Sequence, residues 1–111
     1  MKYAILHLRP AIYFGAPAPK DGFLASTTQN PQTHLINIGP TGNLFPPGLP
    51  RDATIIEAWY SPLERLEDLA KFGIIEVSRA DDTHINLTIR ANAVPSGSTR
   101  LKVYVLYALP Q

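Results

Sequence analysis

The segment 83–109 most constrains what this chain of 111 residues can fold into. Apolar and polar residues alternate along both of its arms, and a Pro/Ser/Gly-containing turn at 95–99 separates them. The apolar set is Ile85, Leu87, Ile89, Ala91 and Ala93 in the first arm and Leu101, Val103, Val105, Tyr107 and Leu109 in the second. Alternation with a period of two is typical of strands that bury one face. The segment therefore predicts two core-forming β-strands.

The two arms are predicted to pair with each other as a hairpin, because their apolar side chains then share one face. In this register Ile89 lies opposite Val105, and Leu87 lies opposite Tyr107. The proline, serines and glycine between the arms are typical turn residues.

A further strand at 74–79 is predicted to pair with the first arm of this hairpin. Its Val77 then lies opposite Leu87 or Ile85, across a turn at 80–82. The C-terminal part of the chain is therefore predicted to be a three-strand meander.

One short helix is predicted at about 62–72. The signals at its two ends are a Ser-Pro-x-Glu capping box and a glycine C-cap: Ser61, Pro62, Glu64 and Gly73. The predicted inward residues are Leu63, Leu66, Leu69 and Ala70, and the predicted outward residues are Glu64, Arg65, Glu67 and Asp68.

The order of elements predicts a mainly β fold in one domain over residues 1–111. Shorter strands are predicted at 2–8, 23–28, 34–38 and 54–60. In the last of these, the expected faces are Ile56, Ala58 and Tyr60 on one side and Ile55, Glu57 and Trp59 on the other. The expected architecture is an antiparallel β-sandwich or a partly open barrel with one short helix.

Two segments are rich in proline and carry large apolar residues. An extended arm at about 10–22 contains Ile12, Tyr13 and Phe14, and a long Pro/Gly loop at about 39–53 contains Leu44 and Phe45. Such an arm can lie in a groove of a neighbouring subunit or fold back on its own domain. A long loop without internal structure is usually functional.

The last strand carries apolar residues on both faces in its second half, because Tyr104, Leu106 and Ala108 stand on its outward side. Another part of this chain or another chain must cover that side. The predicted interface residues are Ile12, Tyr13, Phe14, Leu44, Phe45, Tyr104 and Leu106.

Composition excludes several classes of function. The net charge is +1 with 17% charged residues, so no large basic patch for nucleic acid is expected. The chain has no cysteine, and therefore no disulfide framework. No apolar run reaches the length of a membrane span, and the first residues do not resemble a signal peptide.

No catalytic, metal or cofactor site is predicted. His84 lies near Asp81 and Asp82, but an Asp-Asp pair in a turn usually serves the turn. Trp59 and Tyr104 can stack on a sugar, can form an interface, or can belong to the core.

In its arm, its low charge and its ending Pro-Ser-Gly-Ser-Thr-Arg-Leu-Lys-Val-Tyr-Val at 95–105, the chain resembles small structural proteins of tailed-bacteriophage virions. These structural proteins include capsid decoration proteins and tail or neck accessory proteins. The resemblance implies a non-enzymatic virion component, made in the host cytoplasm, that forms homotrimers and contacts other virion proteins. The alternative is a ligand-binding β-sandwich module for a carbohydrate or a protein.

Overall fold

The structure is a computed structural model that describes residues 2–14, 22–25, 29–61, 66–92 and 97–110. Nine strands and one short helix follow one another in this part of the chain. Their bounds are β1 Lys2–Leu8, β2 Ala11–Tyr13, β3 Phe23–Leu24, β4 Gln32–Asn37, β5 Thr54–Ser61, α1 Leu66–Leu69, β6 Phe72–Arg79, β7 His84–Ala91, β8 Ser98–Arg100 and β9 Lys102–Leu109. Within the same part of the chain, no helix is long and apolar enough to cross a membrane.

The strands form three small sheets. The first sheet has the order β1-β9-β5, the second sheet has the order β4-β7-β6, and a small third sheet has the order β3-β2-β8. All paired strands are antiparallel except β2 and β3. The inner faces of the first and second sheets contribute to one apolar core. The predicted mainly β, sandwich-like fold with one short helix is confirmed, and the strands in the described ranges do not close into a barrel.

The alternation of β7 and β9 predicted correctly which side chains are buried. Ile85, Leu87 and Ile89 of β7 and Val103 and Val105 of β9 are all fully or almost fully buried. The hairpin of β6 and β7 is also confirmed, since Val77 lies opposite Leu87.

The predicted pairing of β7 with β9, and with it the three-strand meander, is wrong. Ile89 pairs with Gln32 and Ile75, whereas Val105 pairs with Leu6 and Ala58. Both edges of β7 are occupied by β4 and β6, and β9 lies between β1 and β5. The short strand β8 between them pairs with β2, and the chain then continues into the first sheet as β9. The apolar faces of β7 and β9 contribute to the same core. Alternation specifies which face of a strand is buried, but it does not determine which strand is its hydrogen-bonded neighbour.

A β-bulge in β5 changes the faces predicted for that strand. The register with β9 shifts between Ile55 and Glu57, so one extra residue stands on β5 there. As a result Ile55 and Ala58 are both buried, whereas Ile56 is exposed. Trp59 keeps its predicted place on the side opposite Ala58.

In the described residues the helix ends at Leu69, earlier than the predicted end at 72, and it turns a different side inward. It spans Leu66–Leu69, and residues 62–65 of the predicted capping box lie outside the described residues. Asp68 is buried and Leu69 is exposed, which reverses the predicted faces. Gly73 belongs to β6 and not to a C-cap: the register of β6 shifts beside it, and the Arg90 side chain lies so close that a Cβ at Gly73 would be 2.7 Å from Nη2.

Asp68 faces inward because it has polar partners there. The Thr99 hydroxyl donates a hydrogen bond of 2.6 Å to its Oδ2, and the Lys71 ammonium lies 3.1 Å from its Oδ1. A buried carboxylate without such partners would be strongly destabilising. This contact connects the helix to β8 of the small sheet.

Substitution of Thr99 by valine, which keeps the shape and removes the donor, is expected to lower the free energy of unfolding by about 2 kcal/mol. The loss arises because a buried charged acceptor then lacks one partner. Chemical denaturation measures it. A loss below about 0.5 kcal/mol, the range of an ordinary surface substitution, would contradict the assignment.

The beginning of the predicted arm belongs to the core of its own subunit. Residues Ala11–Tyr13 form β2, and both Ile12 and Phe14 are 0% exposed. The Phe14 ring meets the Phe72 ring edge-on at 5.1 Å between centroids, and the Lys71 ammonium lies 5.7 Å from the Phe14 centroid. The remainder of the predicted arm, at 15–21, lies outside the described residues.

Tyr107 joins the two main sheets at the core. Its hydroxyl donates a hydrogen bond of 3.2 Å to the carbonyl of Ile38, and its ring is 2% exposed. Burial disfavours the phenolate and raises the pKa of Tyr107 to about 12, from an ordinary value of 10.0.

This raised pKa predicts a loss of stability at alkaline pH. The folded chain holds the neutral phenol, whereas the unfolded chain ionises near its ordinary value, so the contribution is complete below pH 10.0 and disappears as the pH rises towards about 12. In an absorbance titration of the five tyrosines, we expect Tyr107 to ionise only near pH 12 while the chain is folded. Five tyrosines that ionise together in the folded protein would contradict this expectation.

Candidate functional site

The outward side of the first sheet carries a row of neighbouring apolar and aromatic side chains. We call it the apolar outer face. Its members are Tyr3, Ile5 and His7 of β1, Tyr104, Leu106 and Ala108 of β9, and Glu57 and Trp59 of β5. Tyr3 is 56% exposed, Ile5 is 61% exposed and Trp59 is 37% exposed. A contiguous apolar patch of this kind usually marks an interaction site.

Three rings cross the apolar outer face in one row. The register places His7 opposite Tyr104 on one side and Trp59 opposite Tyr104 on the other. The Trp59 and Tyr104 rings are stacked, with centroids 5.9 Å apart and an interplanar angle of 16°, and the His7 ring is tilted against Tyr104 at 6.0 Å. The rings support one another, so the row is ordered within a single subunit.

An aliphatic row runs beside the aromatic one. Ile5 lies opposite Leu106, and Glu57 lies opposite Leu106 on the far side. Leu106 is half-buried between these two neighbours, whereas Ile5 projects from the edge strand. The single carboxylate at Glu57 therefore stands at the margin of the face, and the centre is apolar.

The outward side of the second sheet has the opposite character. Its polar residues are Thr33 of β4, Asn86 and Thr88 of β7, and Glu76 and Ser78 of β6. The hydroxyls of Thr33 and Thr88 share a hydrogen bond of 2.9 Å across the strands. Two apolar residues also lie there: Leu35, at 62% exposed, and half-buried Ile74. The two outer sides of the sandwich thus differ: one suits water and the other suits a partner.

The structure places two of the predicted interface residues side by side on the surface and buries two others in the core. Tyr104 and Leu106 are neighbours on the apolar outer face, as predicted from the last strand. Ile12 and Phe14 are enclosed in the core, so neither offers a surface to a partner, and that prediction is corrected. The reason is that β2 inserts into the small sheet between β3 and β8. Tyr13 is half-buried beside Gly22, where a Cβ would collide with its ring.

Leu44 and Phe45 belong to the Pro/Gly loop and are exposed and half-buried, respectively. Leu44 lies at a cavity of about 390 Å³ whose other lining residues include Phe23, Arg9 and Arg100. Arg100 donates a hydrogen bond of 2.8 Å to the carbonyl of Arg9, which already engages its guanidinium. The loop therefore borders this cavity and does not contribute Leu44 to the apolar outer face.

Tyr3 and Ile5 complete the apolar outer face and were not among the predicted interface residues. The strand predicted at 2–8 is present as β1, and the structure places its Ala4, Leu6 and Leu8 on the inward side. Its other side contains Tyr3 and Ile5, so β1 is apolar on both faces, like the second half of β9. That shared property is the signal that would have identified both residues.

The polar cluster at the β6–β7 turn serves the turn. The backbone N–H of Thr83 donates to Oδ1 of Asp81 at 2.8 Å, and Nδ1 of His84 lies 3.0 Å from the same oxygen. The Thr83 N–H, followed by His84, holds the pKa of Asp81 below its ordinary value. Asp82 pairs with Arg79 instead. Across the residues that the structure describes, no group of three or more His, Cys, Asp or Glu residues is placed to hold a metal ion.

Comparisons with known proteins give no relative: no family model matches the chain, and neither the curated proteins nor the solved structures contain a match.

Proposed function

We propose that this protein is a non-enzymatic structural component that works as a homo-oligomer, of the kind found in tailed-bacteriophage virions. The observation that supports the proposal is the apolar outer face, whose exposed Tyr3 and Ile5 flank half-buried Tyr104 and Leu106. Exposed β-surface of this kind is stabilised when another chain covers it. Closed symmetry among identical copies is the usual arrangement of such contacts.

Sedimentation equilibrium of the purified protein tests the oligomer. At micromolar concentration we expect the mass of two or more chains, each of 12.2 kDa. A single mass of 12.2 kDa at every concentration would contradict the proposal. If the protein is a virion component, purified virions should contain the chain in a fixed copy number. Virions that lack the chain would argue against this location.

The stacked pair of Trp59 and Tyr104 supports a second candidate, a carbohydrate-binding module. Aromatic rings on a sheet can stack on the apolar face of a sugar. In this protein, however, Tyr104 has a ring on each side, and Trp59 uses one face against Tyr104. One face of Trp59 remains for a ligand. A glycan array tests the candidate: binding that the Trp59→Ala variant loses would support it, and an array without binding would remove it.

A further inference from the structure

We infer that two copies of this chain pair through the free edges of β1, antiparallel and about a two-fold axis at Ile5, so that two first sheets become one six-stranded sheet. The inference rests on the proposed function and adds to it the place where copies meet. Strand β1 has β9 on one side and no described strand on the other. An edge strand presents unpaired backbone N–H and C=O groups to any strand that can reach it.

The edge of β1 lacks the features with which sheets usually protect their edges. All seven residues of β1 pair with β9 in an unbroken register, and the strand contains neither a bulge nor a proline. Its single lysine, Lys2, stands at the end of the strand.

The other long edges differ from β1. Both β5 and β6 contain a bulge, and their neighbourhood is already bonded, since the backbone N–H of Ile55 donates to the carbonyl of Asp82 and Nε of Arg79 donates to the carbonyl of Ile55. β4 follows Pro31 and carries polar residues on its outward side apart from Leu35. Among the described strands, β1 is therefore the edge best suited to pairing.

The sequence of β1 is complementary to itself in one register. With Ile5 opposite Ile5 of the second copy, all seven residues are paired, whereas a shift by two residues would pair fewer of them. Tyr3 then lies opposite His7, Ala4 lies opposite Leu6, and Lys2 lies opposite Leu8. Residues on the outer face of one copy stay on the outer face of the next, because the register preserves the alternation of the strand.

The charges of β1 agree with the same register. Its only basic side chains, Lys2 and His7, lie opposite the apolar Leu8 and the aromatic Tyr3 of the second copy. Like charges directly opposite one another would be destabilising, and this register avoids them. The aromatic row also continues, since His7 of each copy then meets Tyr3 of the other.

The small area of the apolar outer face also favours edge pairing. Three strands about 4.8 Å apart and seven residues of about 3.4 Å each give a flat area of about 340 Å². Stable interfaces bury about 800 Å² of accessible surface per partner, so one such face is small for an interface by itself. Edge pairing doubles the continuous face to about 680 Å² and adds backbone hydrogen bonds. The doubled face can then pack against a second pair, and the number of copies is even.

Two charge variants at Ile5 test the two-fold axis, because this residue lies opposite itself. The Ile5→Lys and Ile5→Glu chains should each lose the pairing, since like charges then lie directly opposite. An equimolar mixture should recover it, and native mass spectrometry should find pairs that contain one chain of each kind. Leu35→Lys and Leu35→Glu are matched controls: Leu35 is 62% exposed and Ile5 61%, but Leu35 lies on the second sheet. These controls should keep the mass of the unaltered protein.

The outcomes separate this inference from the proposed function. If the unaltered protein is a monomer, both fail. If it is an oligomer and the Ile5 variants keep its mass, or if its mass is that of a trimer, the edge pairing is overturned and the structural role stands. Variants that lose the pairing without recovery in the mixture also overturn the register at Ile5.

Hydrogen exchange on the unaltered protein provides a test that needs no variant. In a lone subunit only alternate amides of β1 are bonded to β9, so the others should exchange quickly. Edge pairing protects both sets of amides in Lys2–Leu8. Fast exchange of every second amide in an oligomeric sample would overturn the inference.

Discussion

Substitution of Leu106 by lysine should raise the concentration at which the protein assembles by roughly 30- to 1,000-fold, equivalent to about 2–4 kcal/mol at a central interface residue. Leu106 lies at the middle of the apolar outer face, between Ile5 and Glu57. A covered lysine there would have its ammonium desolvated, whereas in a lone subunit the side chain can extend into water. Sedimentation equilibrium over a concentration series measures the midpoint.

Leu35→Lys is the control for this variant, since it adds the same charge to the polar side of the sandwich. Its assembly midpoint should agree with that of the unaltered protein. Both variants should unfold in denaturant at nearly the same concentration as the unaltered subunit, because exposed Leu35 and half-buried Leu106 both lie on the outer sides of the sheets, away from the core. A Leu106→Lys protein that assembles as readily as the unaltered one would show that another copy does not cover the apolar outer face.

Substitution of Phe14 by alanine should lower the free energy of unfolding by about 3–5 kcal/mol. The expected loss is large because Phe14 is 0% exposed and its ring contacts both Phe72 and the ammonium of Lys71. Removing the ring leaves a cavity between the small sheet and β6, which the surrounding strands cannot close. Chemical denaturation at a concentration where the protein is monomeric measures the loss.

Leu44→Ala is the comparison for the Phe14 variant. Leu44 is 46% exposed in the Pro/Gly loop, so the same kind of truncation should change the stability by about 0.5 kcal/mol or less. If Phe14→Ala instead left the lone subunit unchanged and weakened the assembly, the arm would lie on a neighbouring subunit, and the placement of Phe14 in its own core would be wrong.

The sequence was sufficient to predict which side of β7 and which side of β9 is buried. Burial follows from the alternation of side chains along one strand, and Leu87 and Val105 are inward as that rule requires. Strand partners depend on contacts between residues distant in the chain, and the same alternation is compatible with several neighbours. For that reason the β6–β7 hairpin, joined by a short turn, was predicted correctly, and the pairing of β7 with β9 was not.

Two local features could not be predicted from the periodicity of the sequence. The bulge at Ile55 adds one residue to β5 and inverts the faces on one side of it. Asp68 turns inward because Thr99, far along the chain, supplies a hydrogen bond to its carboxylate. Tertiary partners of this kind override the amphipathic pattern of a short helix.

The candidate site was predicted in part, for a related reason. Tyr104 and Leu106 were identified because β9 has more apolar residues than one face can hold. The same criterion applied to β1 would have identified Tyr3 and Ile5. Ile12 and Phe14 were assigned to an interface because of the prolines beyond them, but the short strand β2 carries both residues into the core.

Trp59 gives the most direct test of whether another copy covers the apolar outer face. It is the only tryptophan of the chain, it lies on that face, and it is 37% exposed in the lone subunit. Quenching of its fluorescence by acrylamide should be measured over a dilution series in which the mass is also followed. We predict weak quenching in the concentrated sample and stronger quenching on dilution, with a midpoint that coincides with the fall in mass. Equally strong quenching at every concentration, with the mass of one chain throughout, would contradict the claim that another copy covers the apolar outer face.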